Sequence, residues 1–207
     1  MVQLNSGAIL ILSGPSGCGK STLLKELYKQ IDKYYFSIST TTREPRTGEQ
    51  NGVDYIFVTK DEFEQGIENG DFLEYASVHG NYYGTSKKPI LKAIEENKLV
   101  IFDIDVQGQE IVKKSQLKDF VTSVFITTPS LDILKQRLNS RATDSSEVIE
   151  KRINNSQIEI KSIDKYDYII INDDLEFASS QLISIAKSAM SKTSLFSKDD
   201  IINSWIN

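Results

Sequence analysis

Gly14-Pro15-Ser16-Gly17-Cys18-Gly19-Lys20-Ser21 fits G-x-x-x-x-G-K-[ST], the pattern of a phosphate-cradling P-loop, and its neighbours stand in the order such a loop needs. Upstream, the apolar run at residues 8–12 reads as a buried strand. Downstream, residues 22–30 carry Leu23, Leu24 and Leu27 at helical spacing. In a strand, loop and helix so ordered, the glycines let successive backbone N–H groups turn onto phosphate oxygens, and the helix adds its positive N-terminal end. Lys20 is then placed to reach the phosphates in transfer and the Ser21 hydroxyl to hold Mg²⁺. A glycine turn that merely joins two elements is the plainer alternative, and it leaves both pattern and context unexplained.

The rest of the chain repeats that alternation. Apolar, β-rich runs lie at 8–12, 35–39, 99–104, 122–126 and 168–171, with helical patterns between them at 22–30, 89–97, 131–138, 147–160 and 175–190. This predicts an α/β fold, a P-loop NTPase-type parallel sheet core flanked by helices, with ligands at the carboxyl ends of the strands. Two regions break the rhythm. Residues 40–83 are polar and turn-rich with short strand-like pieces at 55–58 and 72–77, long enough for a small subdomain over the sheet. Residues 141–146 form a small polar segment between two helices, which suits a mobile flap. The tail 191–207, with Leu195, Phe196, Ile201, Ile202 and Trp205, reads as a short terminal helix of no legible function. Repeats, Pro-rich linkers and low-complexity tracts are lacking, so a single domain over 1–207 is expected.

In 207 residues, 29 acidic side chains outnumber 24 basic ones, for a net charge of −5. That balance argues against a general nucleic-acid or anionic-membrane surface while allowing a local basic cleft. The sequence shows no basic segment leading into a long apolar one at its N-terminus and no stretch long enough to span a bilayer, so a cytoplasmic location is expected. Cys18 is the only cysteine and His79 the only histidine, which leaves no internal disulfide and no His/Cys metal cluster. Any catalytic metal is expected to arrive with a nucleotide. Beside a helix N-terminus and Lys20, the Cys18 thiol is expected to favour its thiolate and to react with alkylating agents unless ATP protects it.

Four further clusters carry chemistry. Arg43 and Arg46 lie three apart in a turn after the second strand, and arginine forks grip phosphate through paired charge-assisted hydrogen bonds. Alone, such a pair is ordinarily just solvated. Phe72-Leu73-Glu74-Tyr75 and Gly80-Asn81-Tyr82-Tyr83-Gly84-Thr85-Ser86 offer tyrosines to stack on a base or bond a phosphate and an acceptor, Glu74, for N–H donors. Tyrosines in strands also serve as packing residues. The apolar strand 99–104 leads to Asp103 and Asp105, placed as the acidic groups that orient Mg²⁺ or its waters in P-loop enzymes. Asp105 could equally cap the next helix. Arg137, Arg141 and Arg152 surround the flap, where closing arginines would stabilise charge on a transferring phosphoryl group; helix-surface charge is the other reading.

Taken together, GPSGCGKST, STTTREPRTGEQNGVDY, FLEYA, GNYYGTS, VIFDIDVQG, QRLNSRATDSSEVIEKRI and YDYIIINDD closely resemble the guanylate kinase family over about residues 8–190. The resemblance implies a nucleoside monophosphate kinase of purine nucleotide metabolism, moving the γ-phosphoryl group of ATP to GMP, or to its deoxy analogue, with Mg²⁺. It implies that Ser39, Arg43, Arg46, Tyr55 and Tyr83 hold the GMP phosphate, that Glu74 and Thr85 read the guanine edge, and that Asp103 and Asp105 lie nearby. ATP falls to Gly14, Pro15, Ser16, Gly17, Cys18, Gly19, Lys20, Ser21 and Thr22, with Asn172 near the adenine; Lys20, Arg137, Arg141 and Arg152 act on its phosphates and Ser21 on the metal. The implied organisation is a core at about 1–39, 86–138 and 153–190, a GMP-binding subdomain at 40–85, a lid at 139–152 and an extension at 191–207. Ser140 and Ala142 stand where the family commonly has glycines beside the lid arginine. The rival readings are a related P-loop kinase of another small phosphate acceptor and a non-catalytic guanylate-kinase-like protein-binding module.

Overall fold

The computed structural model describes residues 6–46, 48–78, 80–140 and 146–206. In chain order its elements are β1 (Ala8–Ser13), α1 (Lys20–Tyr28), β2 (Tyr34–Phe36), β3 (Thr40–Thr41), β4 (Ile56–Phe57), α2 (Lys60–Glu68), β5 (Phe72–Val78), β6 (Asn81–Ser86) and α3 (Lys87–Glu95). They continue as β7 (Leu99–Asp103), α4 (Val106–Lys114), β8 (Val121–Thr127), α5 (Leu131–Ser140), α6 (Ser146–Glu159), β9 (Tyr168–Ile171), α7 (Leu175–Ala189) and α8 (Lys198–Ile206).

The strand before the P-loop explains the architecture. β1 is buried along its whole length and sits in the middle of a parallel sheet ordered β2-β7-β1-β8-β9. Its side chains alternate between two apolar layers. Ala8, Leu10 and Leu12 pack with Leu23, Leu24 and Leu27 of α1 and with Ala178, Leu182 and Ala186 of α7. Ile9 and Ile11 face the other way, onto Ile90, Ala93 and Ile94 of α3 and Val112 of α4. Each fully buried Leu or Ile contributes roughly 1.5–3 kcal/mol relative to exposure, so this strand must be covered on both sides. The expected α/β fold with helices flanking a parallel sheet is what forms.

A second, mixed sheet is ordered β4-β3-β6-β5. The strand expected at 35–39 accordingly stops early: β2 ends at Phe36, Ser37 N–H still bonds Ile101 O at 2.9 Å, and Thr40 already pairs with Gly84 and Ile56. Ser39 lies at the crossing between the sheets. β5 and β6 form an antiparallel hairpin that places Thr85 opposite Glu74. No helix is expected at 60–68 or 106–114 from the periodicity, yet α2 and α4 occupy those positions. Each buries a single large apolar side chain, Phe63 in α2 and Val112 in α4, too few to mark a helical face, and α2 instead announces itself by its start. Thr59 and Glu62 form a reciprocal capping box there. Phe63 of α2 then stacks on Phe72 at 4.2 Å and on Tyr82 at 5.1 Å, fastening the helix to the second sheet.

The tail ends in α8, as expected, and it is anchored to the core. Leu195 is 0% exposed within the layer shared by α1 and α7, Phe196 packs beside it, and Lys192 Nζ donates to Val121 O. Leu195→Ala should therefore cost about 2–5 kcal/mol, the usual cost of emptying a buried leucine site. Urea unfolding measures it, and a loss below about 0.5 kcal/mol would show the tail to be a surface appendage. Among the described residues no helix is long and apolar enough to cross a membrane.

Candidate active site

The P-loop joins β1 to α1 through two positions that only glycine fills. Gly14 has φ +143°, and a Cβ there would come within 1.9 Å of Ile126 O. Gly19, at φ +101°, caps α1, and its Cβ would fall 2.2 Å from Asn172 Nδ2. Lys20 opens α1 and folds back along the loop, its Nζ donating to Gly14 O at 2.7 Å. The same Nζ lies 3.8 Å from Asp103 Oδ1, at the carboxyl end of β7. Burial pushes the Asp103 carboxyl above its ordinary pKa while the Lys20 charge opposes that rise. Glu159, at the end of α6, feels the same ammonium group; burial raises its pKa and Lys20 lowers it.

The far side of the loop is held by side chains expected to serve ATP. Asn172 is 5% exposed, and its Nδ2 donates to Cys18 O at 2.7 Å. Arg137 donates from Nη2 to Asn172 O at 2.9 Å and from Nη1 to Cys18 O at 3.5 Å. Gly17, Gly19, Thr22, Arg137, Ser140 and Asn172 border a cleft of about 300 Å³ here. Arg152 reaches over from α6, its Nη1 donating to Ser16 Oγ at 3.2 Å. Ser21 is exposed in the first turn of α1. Arg141 and Ala142 lie outside the described residues.

A second cleft, of about 360 Å³, opens between the two sheets and is lined by Ser39, Tyr55, Glu74, Tyr83, Asp103 and Asp105. Asp103 belongs to its wall and also faces Lys20, so the cleft and the P-loop adjoin. Burial raises the Glu74 pKa; the hydrogen bond from Thr85 acts against that rise. Thr85 is 1% exposed and donates from Oγ1 to Glu74 Oε1 at 2.6 Å, so it stands behind Glu74 as its support. Asp105 does cap α4, accepting from Gly108 N–H at 2.8 Å through Oδ1, while still bordering the cleft. At the outer end, Arg43 lies over the Tyr55 ring at 5.3 Å, Tyr55 meets Tyr83 edge-on at 6.1 Å, and Arg46 is exposed. Arg43 is bound by Glu49, a residue to which the sequence reading gives no role. Its position three after Arg46 in a turn is the one available hint. Ala76, Ile104 and Gly108 also line the cleft without having been singled out.

The family model described as guanylate kinase matches residues 6–189. The chain belongs to the guanylate kinase family. A guanylate kinase of Helicobacter pylori is 53% identical over 203 residues, spanning 98% of both chains. One of Wolinella succinogenes is 48% identical over 204 residues, spanning 99% of this chain and 94% of its own. The crystal structure of guanylate kinase from Anaplasma phagocytophilum superposes with a TM-score of 0.73 at 31% identity, over 94% of this chain and 92% of that one. This guanylate kinase family member is thus a nucleoside monophosphate kinase, and the reading as a non-catalytic binding module falls away.

One expectation is overturned. Cys18 was expected to be a reactive thiolate, but its side chain is 0% exposed in the core layer with Leu23, Leu24 and Leu27. Burial raises its pKa, outweighing the Lys20 charge and the backbone hydrogen bond that lower it. The reason is directional: the side chain of Cys18 turns into the core, while its carbonyl accepts from Asn172. Alkylation of the native protein should accordingly be slow and become fast only on unfolding. Mass-spectrometric labelling with iodoacetamide, with and without denaturant, tests this; native labelling at the denatured rate would contradict the buried thiol.

Proposed function

We propose that the chain transfers the γ-phosphoryl group of ATP to GMP, giving ADP and GDP. One observation carries the reading: Asp103 is shared, standing 3.8 Å from the P-loop Lys20 and in the wall of the Glu74 cleft. Two nucleotides bound in the two clefts would meet at this point. In this reading residues 40–85 form the GMP-binding subdomain and 139–152 the lid of one domain, and a reaction of dissolved nucleotides suits the cytoplasm.

Each described residue then has a task its environment supports. The P-loop N–H groups from Gly14 to Thr22 cradle the ATP phosphates, and Lys20 leaves Gly14 O to follow the phosphoryl group as its charge spreads. Arg137 and Asn172 hold the Cys18 carbonyl and so fix the curvature of the loop at the edge of the adenine cleft. Arg152, already at Ser16, closes over the transferring group and excludes water, a task the family resemblance also gives to Arg141. Across the cleft, Ser39, Arg43, Arg46, Tyr55 and Tyr83 receive the GMP phosphate, while Glu74 accepts from the guanine N1–H and 2-amino groups. Catalysis comes from aligning two anions in line, so no residue need be a strong base.

Among the described residues no group of three His, Cys, Asp or Glu side chains gathers to hold a metal ion alone. The exposed Ser21 hydroxyl, the Asp103 carboxylate with 28% of its side chain exposed, and Asp105 are hard oxygen donors, which fit Mg²⁺ that keeps several waters and takes its other ligands from phosphates. When bound, Mg²⁺ supplies charge neutralisation of the phosphates. A coupled assay of ADP formation with GMP, AMP, UMP and ribose phosphates as acceptors tests the proposal. Rapid turnover confined to GMP is expected, and equal use of a sugar phosphate would favour the related small-acceptor kinase.

A further inference from the structure

Glu49 lies at the outer end of the acceptor cleft among the arginines read as phosphate ligands. Its two carboxylate oxygens accept from Arg43 Nη2 at 2.8 and 2.9 Å, and Oε2 also accepts from the Arg46 backbone N–H at 2.7 Å. Arg43 Nη1 donates to Glu44 O at 2.7 Å, and the guanidinium is spread over Tyr55 at 5.3 Å and Phe57 at 5.8 Å. The pair is well covered for a turn, with 15% of the Arg43 side chain and 19% of the Glu49 side chain exposed. Arg43 is therefore held from two directions and on one face before any ligand arrives. Guanidinium has five N–H donors, and those not taken by Glu49, the Glu44 carbonyl and the neighbouring Tyr83 hydroxyl remain for a phosphate.

We propose that Glu49 is a positioning residue for the acceptor phosphate: it fixes the Arg43 guanidinium over Tyr55 and ties it to the Arg46 backbone, so that the turn meets the phosphate already shaped. An arginine left free would lose much of its rotamer freedom on binding, and fixing it beforehand removes that cost from the binding step. A second effect opposes this one, since a carboxylate beside a phosphate dianion repels it. Salt screens that repulsion only in part at a pair this covered, whereas it leaves the fixed geometry untouched. The two effects have opposite signs, so affinity distinguishes them.

The inference rests on the ATP:GMP reading, and the test separates the two. Binding of GMP and of guanosine, which lacks the phosphate, is measured by calorimetry for the parent, Glu49→Ala and Glu49→Gln, together with KM and kcat for ATP and GMP. In Glu49→Ala the Kd and KM for GMP should rise about tenfold, the cost of ordering a rotamer-rich side chain on binding, with the guanosine Kd, the ATP KM and kcat within about twofold. Glu49→Gln keeps one acceptor oxygen and should lose about threefold. Unchanged GMP affinity in Glu49→Ala, tighter GMP binding, or equal losses for GMP and guanosine would each overturn the positioning role. A parent that transfers no phosphoryl group to GMP would overturn the underlying reading before any variant is made.

Discussion

Lys20→Ala should leave a folded protein whose kcat for phosphoryl transfer from ATP to GMP falls by about 100-fold to 1000-fold, the range seen when one preorganised electrostatic donor is removed. Lys20 Nζ is the one cation of the P-loop, and it stands between the loop's first carbonyl, at 2.7 Å, and Asp103, at 3.8 Å. Its contact with the phosphoryl group strengthens as charge develops, so the loss belongs in kcat more than in the ATP KM. Folding should be little disturbed. The side chain lies outside the apolar core layers, and the Gly14 O hydrogen bond contributes about 1 kcal/mol, which solvent replaces in part. Circular dichroism and a thermal melt check the fold beside the kinetic assay. Undiminished activity in a folded variant would sink the assignment of this loop.

Glu74→Gln combined with Thr85→Val should collapse discrimination between GMP and AMP. A carboxylate can accept from both N1–H and the 2-amino group of guanine, and adenine supplies neither donor. Sites built around such hydrogen bonds reject the wrong analogue by about 10⁴-fold or more, because a buried acceptor is otherwise left unpaired. Here the acceptor is half-buried, and its Oε1 already receives the Thr85 hydroxyl at 2.6 Å. Thr85 gives its hydroxyl hydrogen to Glu74, so Thr85→Val should act by freeing the carboxylate from that bond. The ratio of kcat/KM for GMP over AMP should fall at least about 100-fold in the double variant. An unchanged ratio would mean that the base is read elsewhere.

The same carboxylate links specificity to pH and stability. Burial raises the folded-state pKa of Glu74 above its unfolded value, so its contribution favours folding at low pH and is lost as pH rises through the raised value. At neutral pH the ionised form costs stability. Glu74→Gln alone should therefore be at least as stable as the parent at neutral pH while binding GMP more weakly. GMP affinity of the parent should also weaken as the pH is lowered toward that raised pKa, since the protonated group no longer accepts from both guanine donors. Urea unfolding at several pH values and calorimetric GMP titrations measure the two effects. A variant less stable than the parent at neutral pH would show that the Thr85 bond outweighs the desolvation.

The sequence by itself determined the fold class and the family. An apolar strand followed by the glycine-rich loop and a leucine-faced helix is local information, because the loop's conformation is set by where glycine must stand, and Gly14 and Gly19 occupy backbone angles and contacts that exclude a side chain. Alternating runs of apolar and helical pattern did the rest, since a strand buried on both faces has to be covered by helices from both sides. What local pattern misses are elements whose apolar face is short. α2 and α4 escaped for that reason, and β2 ended early because its partner, not its own composition, decides where pairing stops. Side-chain direction was also beyond the sequence. Cys18 sits inside a phosphate-binding motif, yet its side chain turns into the core and its carbonyl is held by Asn172. Asp105 divides itself between a helix cap and the cleft, and Thr85 lies behind Glu74. Asp103 joins the two clefts because parallel pairing puts the end of β7 beside the end of β1, where Leu12 meets Asp103 across the ladder. Contacts between residues distant in the chain, such as Lys20 with Asp103 and Asn172 with Cys18, depend on the order in which strands pair, and only the folded chain decides that order.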